Sequence, residues 1–212
     1  TFDCSKNGFI REIAGEGEND EIVLPSLKKV ADMLSKERRY KISENLHRRG
    51  LRVYERVLGE LSGDHLETLS LVIKLGNDLI SQRKFDEAEP LFRRSLEGWE
   101  RVFGVDHPST LTSVNNLGLL LKEQGKLEEA EMLLRRALEV RESVLGVDHP
   151  DTLGSASNLG GLLQAQGKLE EAETLCRRAL EGRERILGLD HPNTLISVNH
   201  LGFLLSKQGK LE

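Results

Sequence analysis

GVDHPSTLTSVNNLGLLLKEQGKLEEAEMLLRRALEVRESVLGVDHP, running from Gly104 to Pro150, is the stretch whose reading decides the fold of this chain. It opens and closes on the same phrase, which returns as GLDHP at Gly188 to Pro192, with a weaker echo in Asp64 and His65. The spacing is 42 residues each time. Self-similarity at a fixed period of this size marks a stacked repeat array, whose units bury their apolar faces only against neighbours. Function in such an array resides on a surface and not in a single central pocket.

The block between two phrases reads as two helices and a turn. In the first helix Leu111, Val114, Leu117 and Leu121 keep the i, i+3, i+4 spacing of one apolar stripe, and in the second Ala130, Leu134, Ala137, Leu138 and Leu145 do the same. Gly125, Gly167 and Gly209 follow the first helix, where a left-handed residue ends it without Cβ strain. Asp106, Asp148 and Asp190 precede the next helix as expected N-caps, with Pro in its first turn and the intervening His belonging to the same cap. Glu131 with Arg135 and Glu173 with Arg177 satisfy the i, i+4 rule and the helix dipole, and are expected to form a solvated face.

The small and apolar positions resemble those of tetratricopeptide repeats. Leu117, Gly118, Leu121, Ala130, Leu134 and Ala137 recur as Leu159, Gly160, Leu163, Ala172, Cys176 and Ala179. With NNLG, GKLEEAE, RRALE and LGVDHP, the 42-residue unit is similar to the kinesin-light-chain type of this repeat. The resemblance implies an all-α, right-handed superhelical solenoid of stacked antiparallel helix hairpins.

Counting copies divides the chain. Residues 64–212 hold three complete repeats and a truncated fourth that begins at Pro192 with Val198, Leu201, Gly202 and Leu205. In the first complete repeat Leu75, Gly76, Leu79, Ala88, Phe92 and Ser95 take the core positions, and Arg83 replaces the turn glycine, so that helix end is expected to be less ideal. Residues 23–63 fit a degenerate first repeat through Leu27, Val30, Ala31, Leu34, Tyr40, Ser43, Leu46, Gly50 and Leu51. Residues 1–22 fit no repeat; AGEGENDE is glycine-rich and acidic and predicts an irregular arm. Phe2, Phe9 and Ile10 in that arm could dock in cis or in trans.

The 212 residues carry a net charge of −5, and 31% are charged. A nucleic-acid footprint needs clustered basic residues without compensating acids, whereas each RRALE arginine pair here is preceded by glutamates. No run of 18 apolar residues suggests a membrane span. The expected compartment is cytoplasmic; because the chain begins with Thr, an organellar address after removal of a transit peptide is the alternative. Cys4 and Cys176 cannot form a disulfide framework, and Cys176 replaces Leu134 and Phe92 of the sister repeats as a small buried hydrophobe.

Catalytic, metal and cofactor roles find no support in the pattern. His65, His107, His149 and His191 occur once per repeat, at successive helix starts, whereas zinc ligands must converge within about 2.0–2.3 Å of one ion. The carboxylates of KLEEAE recur identically, whereas an acid/base pair needs one constellation with two different environments. The glycines of LG and QGK serve packing and turns and do not form a phosphate loop. The expectation is a chain that is not an enzyme and binds no cofactor.

Recognition remains. The first helices are expected to line a concave groove with Lys74, Asn77, Thr112, Asn115, Asn116, Leu119, Lys122, Ser157, Asn158, Gly161, Asn199, His200 and Phe203, a face that Gln164 and Ser206 continue. Asparagine offers both donor and acceptor, so a ladder of amides can pair with the backbone of an extended peptide. The resemblance implies that role for Asn115, Asn116, Asn158 and Asn199, against the alternative that these amides bond neighbouring helices. Gly161 and Ser157 would leave a shallow depression beside Phe203. Two functions fit: an adaptor that captures a protein or peptide in its groove, and a structural accessory subunit held in a larger assembly, organellar or otherwise. The apolar edge of the last helix, at Val198, Leu201, Leu205 and Leu211, is expected to be covered by further chain, a partner subunit or a second copy.

Overall fold

The structure is a computed structural model that describes residues 20–58 and 65–210, with side chains from residue 24 onward. Cys4, Asp64, Leu211 and the arm up to residue 19 lie outside the described residues. Among the described residues there are nine helices and no strand. They are α1 (Asp20–Lys36), α2 (Tyr40–Leu58), α3 (Leu66–Ser81), α4 (Phe85–Phe103), α5 (Pro108–Glu123), α6 (Leu127–Leu145), α7 (Pro150–Ala165), α8 (Leu169–Leu187) and α9 (Pro192–Lys207). Helix α1 begins at Asp20, inside the stretch expected to be irregular, and carries Pro25 within its length, with its buried apolar positions at Leu24, Leu27, Ala31 and Leu34.

The chain is an all-α helical repeat solenoid whose described residues divide into two compact units, up to Val102 and from Phe103. In the first unit α1 packs on α2, α2 on α3, and α4 meets α3 where the Phe92 ring lies over Gly76. In the second unit α5 to α9 pack in chain order, and successive first helices α5, α7 and α9 also touch.

Three hairpins, α3–α4, α5–α6 and α7–α8, are held by a close crossing. A Cβ added at Gly118 would lie 2.8 Å from Leu134 Cγ, one at Gly160 would lie 2.8 Å from Cys176 Sγ, and one at Gly76 would lie 2.8 Å from Phe92 Cε2. Only a hydrogen fits at these three points, so the helix axes approach until the facing knob rests on backbone. Leu117, Leu121, Ala130, Leu134 and Ala137 are all at most 1% exposed around one such crossing, and Cys176 is buried as the sequence pattern requires.

The helix starts correct the expected cap. His107, His149 and His191, not the preceding aspartates, are the N-caps: their Nδ1 atoms accept from the N–H groups of Ser109 (3.2 Å), Asp151 (3.2 Å) and Asn193 (3.1 Å). Because Pro occupies the first helical position and has no N–H, the first donor open to a cap belongs to the second residue, and the side chain just before the Pro reaches it. His65 precedes Leu66 instead of Pro and makes no such bond. At the helix ends Gly125, Gly167 and Gly209 have φ between 68° and 79°. Arg83 is forced to φ 59° and Arg38, in the same turn of the first hairpin, to 61°, a conformation that costs an L-residue about 1–2 kcal/mol.

The charged face does more than meet solvent. Glu131 accepts from Arg135 one turn away (2.9 Å), but also from Gln166 (2.9 Å) and Lys168 (2.7 Å) in the next repeat. Glu44 does the same with Arg48, Gln82 and Lys84, and Glu173 with Arg177 and Lys210. The Lys168 ammonium holds the Glu131 carboxyl down to about 2, with Gln166 and Arg135 adding to it against the upward push of burial. At Glu44 burial pushes upward most strongly, yet bonds from Lys84, Arg48 and Gln82 together leave it at about 2. A second tie sits deeper. Arg141, 7% exposed, donates to Ser155 Oγ (2.8 Å) and the Asp151 carbonyl (3.3 Å), and Arg183 repeats this with Ser197 Oγ (2.6 Å) and the Asn193 carbonyl (3.2 Å). Burial lowers both guanidinium values.

Two outcomes follow from these contacts. Gly118→Leu forces the α5–α6 crossing apart and lowers the unfolding free energy by about 1–3 kcal/mol, read as a lower melting temperature. Glu131 stays ionised in the fold down to about pH 2 but protonates near 4.5 in the unfolded chain, so its contribution is whole above about pH 4.5 and is lost as pH falls toward 2. Glu131→Gln therefore shrinks the loss of stability between pH 5 and 3, by about 1 kcal/mol at most after solvent screening, in parallel acid titrations of both proteins.

Candidate functional site

The first helices carry the residues singled out for recognition, and neighbouring repeats share a bonding pattern along them. Asn158 Nδ2 on α7 donates to Asn115 Oδ1 on α5 at 3.0 Å. One repeat further, Ser157 Oγ and His200 Nδ1 on α9 stand 3.4 Å apart at the same two positions of the template. Asn115 is 8% exposed and Ser157 3%, so both lie beneath the surface, whereas Asn116 and Asn158 are half-buried and Asn199 is exposed. Thr112 is exposed, bonded to the Pro108 carbonyl (2.9 Å) and approached by Arg141 (3.2 Å), and Leu119 is half-buried.

Four of the expected residues meet in one depression of about 320 Å³ in the second unit. Lys122, Gly161, His200 and Phe203 line it together with Gln164, Ala165 and Lys207. At Gly161 an added Cβ would meet only Lys122 Nζ, 3.6 Å away, so the missing side chain leaves open space. Phe203 is 58% exposed and carries Lys207 Nζ 5.1 Å from its ring centroid. Partial burial of the His200 ring, then Lys122 and Arg183, push its value down, which leaves it neutral at neutral pH and able to share a proton with Ser157. The recess therefore offers an apolar wall, a neutral imidazole and two ammonium groups.

In the first unit Lys74 and Asn77 line a separate depression of about 330 Å³ with Asp32, Ser35, Lys36 and His47. Lys74 is tied to Asp32 at 2.5 Å, and Asn77 is exposed. His47, Asp32, Ser35 and Lys36 were not among the residues expected to bind. Their signal is positional: His47 stands where the later repeats have Phe92, Leu134 and Cys176. Ala165 and Lys207 each stand one residue beyond the expected face, next to Gln164 and Ser206.

Among the described residues no helix is long and apolar enough to cross a membrane, and no group of three or more His, Cys, Asp or Glu could hold a metal ion.

The hairpin geometry and its period agree with sequence comparison. Two patterns of the tetratricopeptide repeat match, one over residues 67–143 and 113–161, the other over 26–67 and 152–193. The chain belongs to the tetratricopeptide repeat family. Such repeats mediate protein–protein interaction, and the family is typically non-enzymatic. Among solved structures, the putative kinesin light chain nearly identical TPR-like repeats of Podosopora anserina are 21% identical with a TM-score of 0.73, over 92% of this chain and 90% of their own. BtubC (BKLC) from P. vanneervenii is 21% identical with a TM-score of 0.74, over 97% of this chain and 82% of its own. The apo form of RapI shares 17% identity and a TM-score of 0.67, over 91% of this chain and 71% of its own. At these identities the likeness is one of fold. No curated protein matches the sequence.

The amide pair gives the site a structural cost. Asn158→Ala leaves the buried Asn115 Oδ1 without its donor and lowers stability by about 1–2 kcal/mol in denaturant titration, whereas Asn199→Ala, at an exposed position, leaves it within about 0.5 kcal/mol of wild type.

Proposed function

We propose that this tetratricopeptide repeat chain is a non-catalytic protein-interaction scaffold whose first-helix surface binds an extended peptide or a segment of a partner protein. The observation that carries the reading is the recess at Gly161. The half-buried amide of Asn158 and a vacant side-chain position at Gly161 on α7 stand beside an exposed aromatic ring at Phe203 on the adjacent α9, the combination a peptide needs for one side chain and its backbone. In this reading Asn116, Asn158 and Asn199 meet the peptide backbone, while Asn115 and Ser157 hold the layer beneath.

A second reading is favoured by α9. Leu195 and Val198 are 50% and 45% exposed, although their counterparts Leu111, Val114, Leu153 and Ala156 are at most 1% exposed, and Gly202 faces open space where Gly118 meets Leu134. Such a face suits a chain held in a larger assembly, with this edge covered by further chain or a partner subunit.

Filling the recess separates the two. In affinity selection against a random peptide library, Gly161→Leu and Phe203→Ala weaken the selected peptides at least about tenfold, or 1.4 kcal/mol, while helicity by circular dichroism stays near wild type. Equal affinity in both variants moves the interface elsewhere and leaves the α9 edge as the site of assembly.

A further inference from the structure

The turn between α1 and α2 reads KERRYK, from Lys36 to Lys41, and differs in charge from every later turn of this kind. Four bases and one acid fall within its six residues, in a chain whose net charge is −5. Lys36 stands where the later copies have Ser81, Glu123, Ala165 and Lys207, Arg38 where they have Arg83, Gly125, Gly167 and Gly209, and Lys41 where they have Asp86, Glu128 and Glu170. Lys36, Arg38, Arg39 and Lys41 are all exposed.

Two of these bases go against the local preference of the backbone. Lys41 lies in the first turn of α2, which holds no acid, whereas α4, α6 and α8 each begin with two. A cation at that end opposes the helix dipole. Arg38 takes φ 61° where Gly125, Gly167 and Gly209 adopt the left-handed conformation without strain. Neither residue helps the hairpin to form, and departures from local rules gather where function asks for them.

The bonding around the turn leaves its cations unspent. At the position of Arg39, Lys84, Lys168 and Lys210 each reach back to a glutamate of the preceding repeat, namely Glu44, Glu131 and Glu173. Among the described residues Lys36, Arg38, Arg39 and Lys41 pair with no carboxylate. The acids near them are engaged elsewhere: Asp32 by Lys74, Glu44 by Arg48 and Lys84, and Glu87 by Arg48. Only Glu37 offsets the charge from within the turn.

The form of the patch narrows the anion. A DNA duplex or an anionic lipid surface gains its affinity from many phosphates over a wide area, and the bond from Lys84 to Glu44 sets the start of α4, with exposed Asp86 and Glu87, beside this turn. Those carboxylates repel a broad polyanion. A single strand needs aromatic faces to stack on, and Tyr40, the one ring in the turn, is half-buried. A short acidic segment meets the four cations alone, and the planar forks of Arg38 and Arg39 match its carboxylates two bonds at a time. We infer that the α1–α2 turn is a second interaction surface, which takes a short acidic segment of a partner protein on Lys36, Arg38, Arg39 and Lys41. It is separate from the recess at Gly161 and does not rest on that reading.

The test uses the whole chain and a fluorescein-labelled dodecapeptide of alternating glutamate and glycine, followed by fluorescence anisotropy. Saturable binding is expected that weakens as salt rises from about 50 to 200 mM, while the glutamine–glycine peptide does not bind. The triple variant Lys36→Ser, Arg38→Gly and Lys41→Asp gives the turn residues that later copies carry. It is expected to melt no lower than wild type and to bind the glutamate peptide at least about tenfold more weakly, or 1.4 kcal/mol. Should it fail to fold, Arg39→Gln with Lys41→Gln, both at exposed positions, is expected to weaken the peptide with helicity unchanged. No saturable binding of the glutamate peptide overturns the inference, as does equal binding of the glutamine peptide. So does undiminished binding in the folded triple variant or, where that does not fold, in the double variant. A DNA duplex of about 20 base pairs, or vesicles containing phosphatidylserine, bound more tightly than the peptide and lost in the same variant would assign the turn to phosphates and overturn it too. Loss of peptide capture at Gly161 with this binding intact would sink the scaffold reading alone.

Discussion

The close crossing of the two helices in the hairpins α3–α4, α5–α6 and α7–α8 is the constraint on which the rest of the structure depends. Where a Cβ at the first-helix glycine would sit 2.8 Å from the facing knob, the axes can approach no closer and separate no further without opening a void. That contact sets the tilt of the hairpin and hence which residues of the first helix turn inward and which turn out. Phe92, Leu134 and Cys176 show that the knob can vary widely in volume provided the glycine opposite is kept.

Stacking of one hairpin on the next is shared between burial and polar ties. Arg141 and Arg183 reach from the second helix of one repeat to a hydroxyl and a carbonyl on the first helix of the following one, so a buried guanidinium stands where neighbouring copies have Tyr54 and Trp99. The glutamates of KLEEAE add a second tie through the QGK turn, which explains why that turn keeps both its glutamine and its lysine in Gln166 and Lys168. Residues at these positions are spent on assembly and are not free for a ligand. The same holds for Asn115, whose amide oxygen serves Asn158 in the next repeat.

Much of the architecture could be read from period and spacing alone. The helices, their apolar stripes, the strained Arg83 and the buried Cys176 all follow from rules that act within a helix or between aligned copies. What escaped depends on side-chain reach. Whether Asp106 or His107 caps α5 turns on which atom meets the N–H of Ser109, and a proline at the first helical position moves that choice by one residue. The salt bridges looked like a solvated face because a one-dimensional pattern shows Glu131 with Arg135 but not the approach of Lys168 from the following repeat. His47 and Asp78 depart from the template at two separate positions that the sequence reading passed over, and only their 2.8 Å contact turns them into one feature.

In a solenoid an exposed position can differ between copies without disturbing the stack. One column of the first helices makes the point: Asn77, Leu119, Gly161 and Phe203 occupy the same template position. With leucine in every copy that column would be a smooth ridge. A glycine placed between Leu119 and Phe203 removes one side chain from the row, and the depression beside Phe203 is the direct consequence. At the neighbouring template position Lys74, Asn116, Asn158 and His200 vary in charge and length, so in the second unit Asn116, Asn158 and His200 give the first helices unlike side chains. On the scaffold reading proposed above, a peptide laid across α5, α7 and α9 would be sorted by these unlike side chains in the order its residues meet them.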